Sequence, residues 1–123
     1  MLPLLVASGG AAQWAPWEDR APHVASTHVE CAALGTADHR VDAWTARKIS
    51  ARRRGEQRAK RMLHRWVDDA LARLGAPPHI AQRAHRAVEG ARVLDTRPLA
   101  DGSAVVVVGV ERSELPDFRG VPW

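Results

Sequence analysis

At 123 residues the chain fits one domain, because its halves would be too small to bury an adequate core without metals or disulfides. Its 46% hydrophobic content suits a globular protein, no apolar run approaches the roughly 20 residues that cross a bilayer as a helix, and a single cysteine, Cys31, excludes an internal disulfide and a cysteine-based zinc site. The 18 basic residues against 14 acidic ones give a formal charge of +4, nearly all of the basic side being arginine, which favours a phosphate- or carboxylate-bearing partner without saying which.

Residues 1–12, MLPLLVASGGAA, pair a short apolar run with small residues and read as the rear part of a secretory signal cleaved after Ala12. No charged segment precedes Leu2, so a misassigned start or a flexible tail are the other readings. Residues 13–25 form an extended arm, because Pro16 and Pro22 remove backbone donors and restrict their neighbours. Trp14 or Trp17 is expected to pin the arm to the domain, the other reading being an exposed docking element.

A first strand is expected over Ser26 to Thr36, where Val29, Cys31 and Ala33 alternate with His28, Glu30 and Ala32 and a turn follows at Gly35. Cys31 reads as a small buried hydrophobe. A long helix then spans roughly Trp44 to Leu74, with Asp38 or Asp42 as N-cap and Gly75, Pro77 and Pro78 as the stop signal. It would be roughly 45 Å long at 1.5 Å per residue. Its expected core face carries Ile49, Ala59, Leu63, Trp66, Val67, Ala70 and Leu74, with Met62 and Leu71 at the flanks.

Ile80, Ala84, Ala87 and Val88 set a second, shorter helix over His79 to Glu89, closed by Gly90. Ala91 to Leu99 and Ser103 to Glu111 are β-rich runs joined by Ala100, Asp101 and Gly102, an Asp-Gly hairpin signal. The apolar run Val105 to Val108 predicts a central strand, whereas Arg92, Asp95 and Arg97 predict a partly solvated partner. Residues 113–123 read as a peripheral tail. The expected fold is a single α+β domain, with both helices on a small, mainly antiparallel three-stranded sheet in the order β-α-α-β-β.

Opposite the core face, Arg47, Arg54, Arg58, Arg61 and Arg65 fall in one narrow sector of the long helix, at steps of seven, four, three and four. The plainer reading is a solvated face. Repulsion between like charges at i and i+4 costs helix stability, which argues for an anionic partner along the stripe. A nucleic-acid role would also need exposed aromatic side chains, yet the chain has no tyrosine and one phenylalanine, Phe118, and Trp66 belongs to the core face. Lys48, Arg52 and Glu56 interrupt the apolar sector near the helix start, which reads as an overhang with an exposed Arg52–Glu56 pair, or as an interface in an oligomer.

No nucleophile beside a base and no convergent carboxylates are legible, so no enzymatic activity and no cofactor are expected. His64 and Asp68 share a helix face but lack a third group to complete a catalytic site. Asp68 and Asp69 diverge around the helix, His79 and His85 are six apart, and nothing fixes His23 near His28, so no metal site is expected.

Several segments taken together resemble the LPP-twenty family of small bacterial envelope lipoproteins. They are the Pro-Trp arm (Ala15 to Pro22), AALGTA (Ala32 to Ala37), the ARKISARRRGEQRAKRML helix (Ala46 to Leu63) and the closing VEGARVLDTRPLADGSAVVVVGVER block. The likeness runs from Trp17 to Arg112, with residues 26–112 as the family-like domain, and rests on the order of features more than on any single motif. It implies a structural or assembly component of the cell envelope that acts by protein–protein contact or self-assembly, periplasmic or outer-membrane-associated, as are its flagellum-linked relatives. Family lipoproteins carry a lipid-bearing cysteine just after the signal, and none stands near residue 12, so lipidation is not expected. The competing expectation is a cytoplasmic nucleic-acid-binding protein using the arginine stripe.

Overall fold

The structure, a computed structural model, describes residues 22–116. The signal-like segment, Trp14 and Trp17 of the arm, and Phe118 in the tail lie outside the described residues. The described chain is α+β, a long and a shorter helix with an antiparallel sheet. In order it forms β1 (His23–Val24), β2 (His28–Gly35), α1 (Trp44–Leu74), α2 (Pro78–Glu89), β3 (Arg92–Pro98), β4 (Ala104–Glu111) and a short 3-10 turn, Arg112–Glu114.

The sheet has four strands in the order β1-β2-β4-β3, not the three expected. The additional strand comes from the end of the proline-rich arm. His23 and Val24 pair with Glu30 and Val29, and the Ala25 N–H donates to the His28 carbonyl at 2.8 Å. A two-residue strand has no alternation to betray it. Arg112 secures this corner, its N–H on the Thr27 carbonyl at 2.9 Å and its Nη1 on the Ala25 carbonyl at 3.1 Å.

β4 lies between β2 and β3 and is buried from Ala104 to Val110, as its apolar run predicts. Its helix-facing Val106, Val108 and Val110 join Val29, Cys31 and Ala33 of β2 in the core. β3 is an edge strand whose register shifts between Val93 and Asp95, leaving Leu94 over Gly109. In the connecting loop Gly102 takes φ +92, and the Asp101 carboxylate accepts from the Ser103 N–H and hydroxyl at 2.9 and 3.0 Å. The buried Ser103 hydroxyl also accepts the Ala37 N–H at 2.9 Å, tying the hairpin to the loop that leads into α1.

α1 has the expected limits, but neither Asp38 nor Asp42 caps it; its N-cap is Ala43, with no side-chain hydrogen bond. Asp38 is engaged elsewhere, on the backbone and guanidinium of Arg40. The C-terminus closes as the glycine signal predicts. Gly75 takes φ 66, its N–H reaches the Ala72 carbonyl, and the Ala76 N–H reaches that of Leu71.

The buried line of α1 is Ala51, Gly55, Ala59, Leu63, Val67, Ala70 and Leu71. Ile49 and Leu74, expected in the core, are each 40% exposed, and Trp66 is only partly buried. The reason is geometric. Contacts that follow an i, i+4 ridge rotate about 40° around the helix at each step, so the sheet meets Ala51 and Gly55 at the N-terminal end instead of Ile49. Small residues let the backbones approach there: a Cβ on Gly35 would lie 1.8 Å from the Ala51 carbonyl oxygen. α2 adds Ala84 and Val88 to the core, and Leu115, in the segment read as peripheral, is buried against it.

Candidate functional site

The five arginines of the stripe do not form one uniform surface. Arg47 donates from Nε to the Val41 carbonyl at 3.0 Å and from Nη2 to that of His39 at 3.4 Å, and its guanidinium carbon lies 5.8 Å from the Trp44 ring centroid. Arg54 donates from Nε and Nη2 to the Thr36 carbonyl at 3.0 and 2.6 Å, and from Nη1 to the Ser50 hydroxyl at 2.9 Å. Both guanidinium groups therefore satisfy carbonyls of the segment between β2 and α1, where a fork of fixed donors suits a turning backbone. Asp38 and Arg40 add an exposed pair at 3.0 Å. Hydrogen bonds from the Arg40 side chain and backbone hold the Asp38 carboxyl down to about 2, from an ordinary 3.8.

Arg58 is half-buried, while Arg61 and Arg65 are exposed. The outward charge thus concentrates on the middle of α1. Glu56, which the i, i+4 spacing assigned to Arg52, instead contacts Lys60 at 3.1 Å. Arg52 borders an open groove of about 420 Å³ between the start of α1 and the β3–β4 hairpin, lined also by Ile49, Thr96, Pro98 and Gly102. A second open hollow, about 600 Å³, has Arg83, Arg86 and Arg92 opposed by Glu111 and Glu114. Its mixed charge selects no single ligand sign.

The structure also builds a cluster that helical spacing alone did not reveal. Asp68 of α1 receives two histidines: His64, one turn earlier, with Nδ1 3.2 Å from Oδ2, and His85 of α2, whose Nε2 bonds to Oδ1. The imidazole rings stack with centroids 4.9 Å apart and planes 11° from parallel. His64 and Asp68 were legible as a pair. Spacing along α2 relates His85 only to His79, six residues away, and its convergence on Asp68 depends on how α2 docks against α1.

Each member of the cluster adjoins a core residue in sequence: His64 follows Leu63, Asp68 follows Val67, and His85 follows Ala84. The backbones carrying these side chains are therefore fixed by packing, while the side chains remain 36–47% exposed. An exposed set of this kind contributes little to stability. It offers two imidazole nitrogens and a carboxylate to solvent. No family model, curated protein or solved structure matches the chain.

Proposed function

We propose that this chain is a non-enzymatic component of the bacterial cell envelope, periplasmic or outer-membrane-associated, that acts through protein–protein contacts including contacts with further copies of itself. The observation that carries the reading is where its exposed apolar side chains lie. Among the described residues, four of the five exposed large hydrophobic side chains, Trp44 and Ile49 in the first turns of α1 and Val93 and Leu94 on β3, are 40–47% exposed, and the fifth, Leu74, lies at the far end of α1. Ile49 shares a groove with Thr96 and Pro98 of β3, and β3 is the edge of the sheet. An edge strand with outward apolar side chains offers both a hydrogen-bonding ladder and area to bury against another chain. The resemblance to envelope lipoproteins of the LPP-twenty type points the same way, and Arg61 and Arg65 would face an acidic partner or surface. Among the described residues no helix is long and apolar enough to cross a membrane.

The nucleic-acid reading is weaker, because Arg47 and Arg54 are held by backbone carbonyls and leave fewer guanidiniums for phosphate. Two measurements test the proposal. Fractionation of the native cell should place the protein in the envelope or periplasm, and recovery only from the cytoplasm overturns the location. Sedimentation velocity should show concentration-dependent association that Ile49→Asp or Leu94→Lys weakens; a monomer unaffected by either substitution overturns the self-contact.

A further inference from the structure

We infer that His64, Asp68 and His85 form a binding site for a divalent transition-metal ion of zinc type, which bridges α1 to α2. Among the described residues they are a group of three metal-ligating side chains whose donor atoms all lie within 4.8 Å of one another. In a tetrahedral zinc site with donors about 2 Å from the ion, neighbouring donor atoms are about 3.3 Å apart. The remaining closure falls to rotations of the exposed side chains, on helices held by the core. Two of the three donors are imidazole nitrogens, which favours zinc, nickel or copper over calcium and magnesium, whose sites are built from oxygen.

The protonation chemistry is consistent with this exchange. An ionised Asp68 can only accept, so His64 Nδ1 and His85 Nε2 each donate a proton to it. A metal ion takes the place of those protons: in each neutral ring the proton passes through solvent to the ring's other nitrogen, so the imidazole stays neutral and ligates through the nitrogen that had donated, while the carboxylate turns from accepting two N–H groups to ligating the same centre. Three protein ligands leave at least one position for water or for a donor from a partner protein. Because Leu63, Val67, Ala84 and Val88 hold the two helices in the core, the ligands reach the ion from backbones that are already positioned.

The test is calorimetric titration of the untagged full chain with zinc ion at fixed pH, with circular dichroism to confirm that each variant is folded. The expected result is one ion per chain, with His64→Gln and His85→Gln each weakening binding about ten-fold or more and His79→Gln, outside the cluster on α2, leaving it unchanged. Zinc should also raise the thermal midpoint of the wild-type chain and fail to raise that of His85→Gln. Absence of binding up to millimolar zinc, or binding that His85→Gln does not weaken, overturns the site. Cobalt substitution gives a second readout: visible absorption bands of a low-coordinate nitrogen–oxygen site should appear in the wild type and vanish in His85→Gln.

Discussion

Replacing Gly35 by alanine tests the contact on which the architecture turns. The added Cβ would lie 1.8 Å from the Ala51 carbonyl oxygen and 2.5 Å from the Gly55 nitrogen. Both are backbone atoms of α1, so no rotamer relieves the overlap. Ordinary contact needs about 3.5 Å, which requires α1 to withdraw by roughly 1.7 Å from the end of β2. That movement lifts the Ala51, Gly55 and Ala59 line from Val106 and its neighbours. Overpacking in a well-filled core costs about 1–3 kcal/mol, and a clash with rigid backbone belongs at the upper end. At ~3 kcal/mol the thermal midpoint should fall by roughly 12–24 °C for a domain of this size. Gly55→Ala provides the internal comparison. Its Cβ meets Val106 Cγ2 at 2.7 Å and the Gly35 nitrogen at 3.1 Å, a milder overlap than at Gly35, and alanine recovers up to about 1 kcal/mol of helix propensity, so its net cost should be smaller. Urea unfolding followed by far-ultraviolet circular dichroism reads both variants. A Gly35→Ala protein within about 0.5 kcal/mol of wild type would refute the close approach.

Two further substitutions address the segment between β2 and α1. Arg54→Ala removes the donors that hold the Thr36 carbonyl and should cost about 1 kcal/mol while raising amide hydrogen exchange across residues 36–43. Arg61→Ala, on the exposed part of the same stripe, should stay within about 0.5 kcal/mol of wild type and leave that exchange unchanged. Asp38 predicts an acid limb in the stability curve. Its folded carboxyl titrates at about 2 instead of 3.8, so its contribution is present above 3.8 and is lost as pH falls from there through about 2. Urea midpoints collected down the acid range should show a shallower decline in Asp38→Asn than in wild type, and identical declines would mean that the Arg40 contact does not persist in solution.

The α+β class, both helices, the central place of β4 and the hairpin were legible because each leaves a local periodic mark: apolar spacing of three and four on α2, continuous valines from 105 to 108, Asp-Gly at the turn. What escaped has no such mark. β1 is two residues long and is recognisable only by its pairing with β2. The N-terminal half of the α1 contact escaped for another reason. A hydrophobicity pattern counts Ile49 as core and treats Gly55 as a gap, whereas the sheet needs the gap, because Gly35 and Gly55 allow backbone to approach backbone. The Asp68–His85 contact is set by the docking of α2, and periodicity within one helix carries no information about it.

The arginine stripe illustrates how one regular pattern can divide into separate tasks. Its steps of seven, four, three and four place five guanidiniums in line, but only the surrounding structure decides what each can touch. Near the start of α1 the line passes the segment from Thr36 to Val41, whose carbonyls have no strand partner, and Arg47 and Arg54 are used there. Farther along the same line Arg61 and Arg65 are exposed. An acidic partner that binds the stripe should therefore lose affinity on Arg61→Ala or Arg65→Ala with stability unchanged, whereas Arg54→Ala should lose stability first. Measuring both quantities for all three variants separates a binding surface from a structural clamp, and equal stability losses at Arg54 and Arg61 would contradict that division.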